Sequence, residues 1–201
     1  MADSSTPIPD DEALWLSFTK GDETAFEHLF TRSFPKLFQY GRKFATDADF
    51  IKDAIQELFA ELWQRRMYLS QTPSVRNYLY KSLRRKMGRL ASNHLETNEL
   101  TDEADQFNVT LSPEQILLDD EFAVQQSEQM THWLSFLTPR QREAIYLRFY
   151  HDMDYDEIAT VMTVSNHAAR NLIYEALKLL RSRLISAIAG LLIAVQGKID
   201  L

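Results

Sequence analysis

LTPRQREAIYLRFYHDMDYDEIATVMTVSNHAARNLIYEALKLLR, from Leu137 to Arg181, carries the strongest structural signal in the chain. Thr138, Pro139 and Gln141 supply an N-cap, a first-turn proline and a capping-box partner, so a helix begins there with Ile145, Leu147 and Phe149 as its expected apolar face. Asp154 with Glu157 three residues later opens a second, short helix bearing Ile158, Ala159, Val161 and Met162, where the small Ala159 permits a close crossing. After a break at Thr163 and Val164, Ser165 caps a third helix whose apolar positions Ala169, Ile173, Ala176, Leu177 and Leu180 follow a three-four rhythm. Three short helices in this order read as a helix-turn-helix. Its outward residues Asn166, His167, Arg170, Asn171 and Tyr174 can donate and accept hydrogen bonds at base edges and phosphates.

Composition narrows the remaining choices. A length of 201 residues suits one or two domains, and 45% hydrophobic content suffices for buried cores. The absence of cysteine excludes disulfides, zinc-thiolate sites and a thiol nucleophile. The start MADSSTPIPDDE lacks the apolar core of a signal peptide, so a soluble, cytoplasmic protein is expected. Leu184 to Val195, the longest uncharged apolar stretch, is too short for a bilayer of about 30 Å and reads as a packing helix. Five glycines with no phosphate loop, and histidines at 28, 94, 132, 151 and 167 without ligand spacing, give no sign of a catalytic, cofactor or metal site. The expectation is a protein that is not an enzyme.

A net charge of −7 looks wrong for a DNA binder until the chain is divided. Residues 1–89 hold 14 Lys/Arg against 12 Asp/Glu, residues 90–139 none against 10, and residues 140–201 hold 8 against 7. Within the first part, Ser74 to Asn93 contains Arg76, Lys81, Arg84, Arg85, Lys86 and Arg89 and no acid, which predicts a strongly positive local field. Tyr78 and Tyr80 interleave with these cations, an arrangement suited to stacking single-stranded bases while the cations follow the backbone. The two tyrosines cannot share one helix face, so one of them belongs to the core. Upstream, Asp53 to Trp63 forms a helix with Ile55, Leu58, Phe59 and Leu62 spaced for burial. Asp53, Gln56, Glu57 and Trp63 are left toward solvent as a mixed polar and aromatic patch of the kind seen at protein interfaces.

Together these segments resemble bacterial sigma-70 factors of the extracytoplasmic-function (ECF) type, which keep only sigma regions 2 and 4. Gly21 to Phe30 looks like the start of region 2. Asp53 through Trp63 is similar to the family's D-x-x-Q-E-x-F-x-x-x-W core-binding helix, Val75 to Lys81 to the segment that melts and reads the minus-ten element, and Leu137 to Arg181 to region 4. The wording Ala168 to Tyr174 is similar to relatives common in Bacteroidetes. The resemblance implies an all-α fold of two small helical domains: region 2 over residues 1–91, a flexible acidic linker over 92–111, and region 4 with its helix-turn-helix over 112–201. It implies core RNA polymerase binding by Asp53, Gln56, Glu57 and Trp63. Minus-ten contacts would come from Arg76, Asn77, Tyr78, Lys81, Arg84 and Arg85, and minus-thirty-five contacts from Asn166, His167, Arg170 and Asn171. Core polymerase, promoter DNA and an anti-sigma factor are the expected partners, with no cofactor and no small-molecule substrate.

The chain departs from the family at several positions. Arg85 stands where many relatives have asparagine, Thr163 where the turn often has glycine, and Leu172 and Glu175 where the recognition helix often has arginine. Fewer cations predict weaker phosphate binding, each lost contact lowering the salt slope by roughly one unit. The tether, some 20 residues, extends to roughly 60 Å at about 3.3 Å per residue, comparable with a promoter spacer of about 17 base pairs at about 3.4 Å each. Its acids serve either as a solubilising linker or as a mimic of nucleic acid in the polymerase cleft. Ser112 to Gln115 predicts a further helix running toward Trp133. The extension from Leu184 to Leu201 covers its own domain, docks an anti-sigma factor or self-associates. A stand-alone helix-turn-helix regulator is the competing reading; it explains residues 137–181 and leaves the Asp53 to Trp63 helix without a role.

Overall fold

The computed structural model describes residues 10–94 and 131–199, with side chains through 89 and from 131 to 185. Within these residues all the regular structure is helical. The chain divides into two compact units, Met1–Glu103 and Ala104–Leu201.

In the first unit, α1 (Asp11–Thr19), α2 (Glu23–Gly41), α3 (Ala48–Arg65), a 3-10 turn (Arg66–Tyr68) and α4 (Val75–His94) follow in order. Aspartates start the first three helices. Asp10 accepts from the Glu12 amide, Asp22 from Ala25 at 3.1 Å, and Asp47 from Asp49 and Phe50 at 2.9 and 3.2 Å. Each satisfies an orphan amide and places negative charge at the positive end of a helix dipole. Gly21, with φ +96, reverses the chain between α1 and α2 at a conformation open to glycine.

The core of this unit is aromatic to an unusual degree. Trp15 lies 5.4 Å from Phe18, Phe18 lies 5.5 Å from Phe26, and Phe26 lies 5.8 Å from Phe59, all centroid to centroid. Leu37, Tyr40, Ile51, Ile55 and Leu83 close the other end, each fully buried. Burying such side chains contributes about 1.5–3 kcal/mol apiece. α4 continues through His94, so residues 92–94 belong to a helix and not to the tether expected from 92. The remainder of that tether, from 95 to 111, and the helix expected from Ser112 lie outside the described residues up to 130.

In the second unit, a helical run at 131–135 precedes α5 (Pro139–Tyr150), α6 (Tyr155–Met162) and α7 (Asn166–Ile199). Both capping boxes form. Thr138 and Gln141 exchange bonds of 3.0 and 3.3 Å, and Asp154 and Glu157 exchange bonds of 2.9 and 2.8 Å. Ser165 Oγ accepts from the Ala168 amide at 3.1 Å and starts α7. Leu147, Met153, Ile158, Val161, Ala169 and Ala176 form the dry centre.

Two apolar assignments need correction. Phe149 is 57% exposed and leaves the expected apolar set, whereas Ile145 and Leu147 are buried as expected, with Ala144 and Tyr146 beside them. Leu177 is 44% exposed, since the buried row of α7 runs through Ala169, Ile173 and Ala176 and passes it by. Leu184 to Val195 is helical, as the continuation of α7; what its side chains beyond residue 185 pack against lies outside the described residues. Among the described residues no helix is long and apolar enough to cross a membrane.

Candidate nucleic-acid interface

Asp53, Gln56 and Glu57 occupy one exposed face of α3, at the i, i+3, i+4 spacing that aligns side chains on a helix. Trp63 does not complete this patch as a solvent-facing residue. It is half-buried, its ring 5.0 Å from Phe26 and 6.3 Å from Phe18, and the Arg66 guanidinium caps it 4.3 Å from the centroid. The core draws it in because Phe26 and Phe18 present rings at that end of α3.

The basic helix α4 splits its predicted contact residues between surface and core. Arg85 is exposed, and Arg76, Tyr78 and Lys81 are partly so. Asn77 is buried at 8% exposure and Arg84 at 6%, so in this structure neither offers its side chain to a ligand from outside. Tyr80 is the core tyrosine, 5.0 Å from Tyr40, while the ring of Tyr78 tilts against Trp15 at 5.2 Å.

The unopposed positive field expected along this run is also corrected. Lys86 Nζ donates to Glu57 Oε2 and Glu61 Oε1, each at 2.9 Å. Burial works against the charge on Lys86, but the bonds to Glu61 and Glu57 outweigh it and raise its pKa above the ordinary lysine value. A local count of charges along α4 cannot see acids contributed by α3. Beside this triad a groove of about 350 Å³ opens, lined in part by Arg65, Tyr78, Ser82, Arg85 and Arg89.

In the second unit the outward face of α7 is organised before any ligand arrives. Asn166 Nδ2 donates to Asp156 Oδ1 at 2.6 Å, and Arg170 Nε donates to Asn166 Oδ1 at 2.7 Å. The Arg170 guanidinium also lies 4.6 Å from the centre of the Tyr155 ring. His167 and Asn171 contact one another at 3.3 Å, and both are exposed. Arg170 thus has its Nε occupied and its plane set by an aromatic ring, an arrangement that fixes its direction. Tyr155 and Asp156 were not among the sequence-derived contacts; a bond across ten residues and a turn has no periodic signature. Glu175 is held by Lys178 at 3.8 Å, which offsets part of the repulsion expected from an acid on this face. Among the described residues no group of three or more metal-ligating side chains assembles.

A helix-turn-helix with a preset polar face is a form that many DNA-binding domains share, and comparison with known proteins narrows it. Residues 128–180 match the family model of Sigma-70, region 4. The matched segment takes in α5, α6 and the first part of α7 and ends inside that helix. No curated protein matches the chain by sequence. Among solved structures, CnrH in complex with the cytosolic domain of CnrY aligns with a TM-score of 0.61 at 21% identity, covering 88% of this chain and 99% of that one. The sigma factor RpoE in complex with the anti-sigma factor NepR from Bartonella quintana aligns with a TM-score of 0.49 at 18% identity, over 79% and 96% of the two chains. The CnrH alignment covers most of both chains, and at its level of identity it establishes a shared fold alone.

Proposed function

We propose that the chain is an ECF-type sigma factor, a non-enzymatic cytoplasmic protein that binds core RNA polymerase, directs it to minus-thirty-five and minus-ten elements and assists promoter melting. The observation that carries this reading is the region 4 match over residues 128–180, joined to a fold shared with CnrH over most of the chain. The first unit acts as region 2, with Asp53, Gln56 and Glu57 presented to polymerase and Trp63 shaping the surface from beneath. On α4, Arg76, Tyr78, Lys81 and Arg85 take the minus-ten strand. Asn77 and Arg84, buried in the free chain, join them only after local rearrangement. Asn166, His167, Arg170 and Asn171 read the minus-thirty-five element from the major groove.

An anti-sigma partner belongs to the same reading. The sequence resemblance implies one, and CnrH was solved with a cytosolic partner domain bound.

The test is transcription in vitro. Purified chain added to sigma-free bacterial core polymerase and host genomic DNA is expected to create new 5′ ends that share paired upstream elements. Failure to bind polymerase, with no new starts while a control sigma factor remains active, would replace this reading with a stand-alone regulator.

A further inference from the structure

Lys86 is absent from the contact set assigned to α4, yet the groove beside it is where α4 gathers its exposed cations. Arg85 and Arg89 line that groove from α4 and Arg65 from α3, together with Tyr78 and Ser82; Lys86 and its partner Glu61 are part of the same lining. This combination suits a phosphodiester with its attached base: cations for the backbone, a ring face for the base. One member of the set is not free to act. The ammonium of Lys86 is bonded to Glu57 and Glu61, and its side chain is only 8% exposed, whereas the two carboxylates are 62% and 53% exposed. The acids face solvent, Glu61 at the groove itself, and the ammonium of Lys86 is held by both. Glu57 also lies on the α3 face proposed to meet polymerase.

We propose that Lys86 is a masked phosphate-binding residue: Glu57 and Glu61 hold it in the free chain, and a partner that engages these carboxylates from α3 releases it to the groove, where it binds single-stranded nucleic acid. The partner half of this inference rests on the function proposed above; the mask itself does not. Lys86 is buried, but both carboxylates that hold it are more than half exposed, so water screens each pair and a competing cation can reach the acids. A basic partner surface can therefore take the carboxylates, and one added phosphate contact then changes DNA affinity several-fold. The device makes the chain a poor DNA binder alone and a better one on polymerase.

The mask is tested without polymerase. Binding of a fluorescent single-stranded 12-mer (about 12 nucleotides, a length within a usual single-strand site) is measured over a range of salt for the full chain and for E57Q/E61Q. The control E23Q/E27Q makes the same change in net charge away from Lys86, at exposed carboxylates of α2. E57Q/E61Q is expected to bind several-fold tighter than this control, with a salt slope steeper by about 0.7, one single-strand phosphate contact. Adding K86Q should bring both down to the values of the control or below. Tightening no greater than that of E23Q/E27Q, or an excess over it that survives K86Q, overturns the proposal.

A second measurement needs no substitution. Lys86 is expected to resist amine acylation in the free chain, read by mass spectrometry, and to become reactive in the complex with core polymerase. Equal reactivity in both states overturns the release step, while failure to form the complex refutes the polymerase reading and leaves the mask to be decided by the oligonucleotide.

Discussion

At the scale of single residues, two backbone positions show stability set by the room available for a Cβ atom. A Cβ added at Gly41, where α2 ends, would stand 2.6 Å from Cγ2 of Ile51, a side chain with no solvent exposure to retreat into. Alanine gains about 1 kcal/mol of helix propensity over glycine, but overpacking a closed core costs about 1–3 kcal/mol. Gly41→Ala is therefore expected to lower the stability of the first unit by about 1 kcal/mol, read as a lower urea midpoint. Thr163 presents the reverse case. It ends α6 at φ 56 and ψ 47, a left-handed conformation that crowds a β-branched side chain. Thr163→Gly is expected to stabilise the second unit by about 0.5–1 kcal/mol after the entropic cost of glycine is subtracted. Thermal melts of the parent and Thr163→Gly followed by circular dichroism check this, and an unchanged or lower midpoint for the second unit would refute the strain.

Between elements, function depends on bonds that reach across turns. Asp156 on α6 orients Asn166, Asn166 orients Arg170, and Tyr155 supports the guanidinium plane. Asp156→Ala removes the first link. It is expected to leave the fold intact, since Asp156 is not the cap of α6, and to loosen Arg170. On the function proposed for α7, the discrimination between a preferred minus-thirty-five element and a scrambled one should fall by roughly 3- to 10-fold, about the value of one ordinary hydrogen bond. Competitive promoter selection in vitro measures it; full discrimination would show that Arg170 needs no support from α6.

The same distinction explains what was legible from sequence. The helix starts at Thr138, Asp154 and Ser165 were readable because capping is local chemistry, fixed by residues three apart. The turn at Thr163 was readable because the apolar rhythm breaks there. Trp63 and Lys86 are less open than their sequence positions suggest because their surroundings come from other helices: Phe18 and Phe26 claim the tryptophan, and Glu57 and Glu61 claim the lysine.

Across the whole molecule, the two units should respond to alkali in opposite directions. Lys43 in the first unit has 2% exposure, and burial, aided by repulsion from Arg42, lowers its pKa from 10.5 to about 8. Between those two values the unfolded chain holds a proton that the folded chain has lost, so unfolding takes up protons and stability rises with pH. In the second unit, burial raises the pKa of Tyr146, with the neighbouring Tyr150 adding to it, and burial raises that of Tyr150 also. Unfolded tyrosines ionise near 10 while these stay protonated in the fold. Their contribution is present in full below pH 10 and is lost as the pH climbs beyond it. The expected profile for the first unit is a gain of up to about 2 kcal/mol from pH 8 to pH 10. It is read from urea unfolding of a Trp133→Phe variant, in which Trp15 and Trp63 report on that unit alone. Lys43→Gln should flatten the rise. A flat profile in the parent, or an equal rise in Lys43→Gln, would mean that the ammonium of Lys43 reaches water and that the lysine is charged in the fold at little cost.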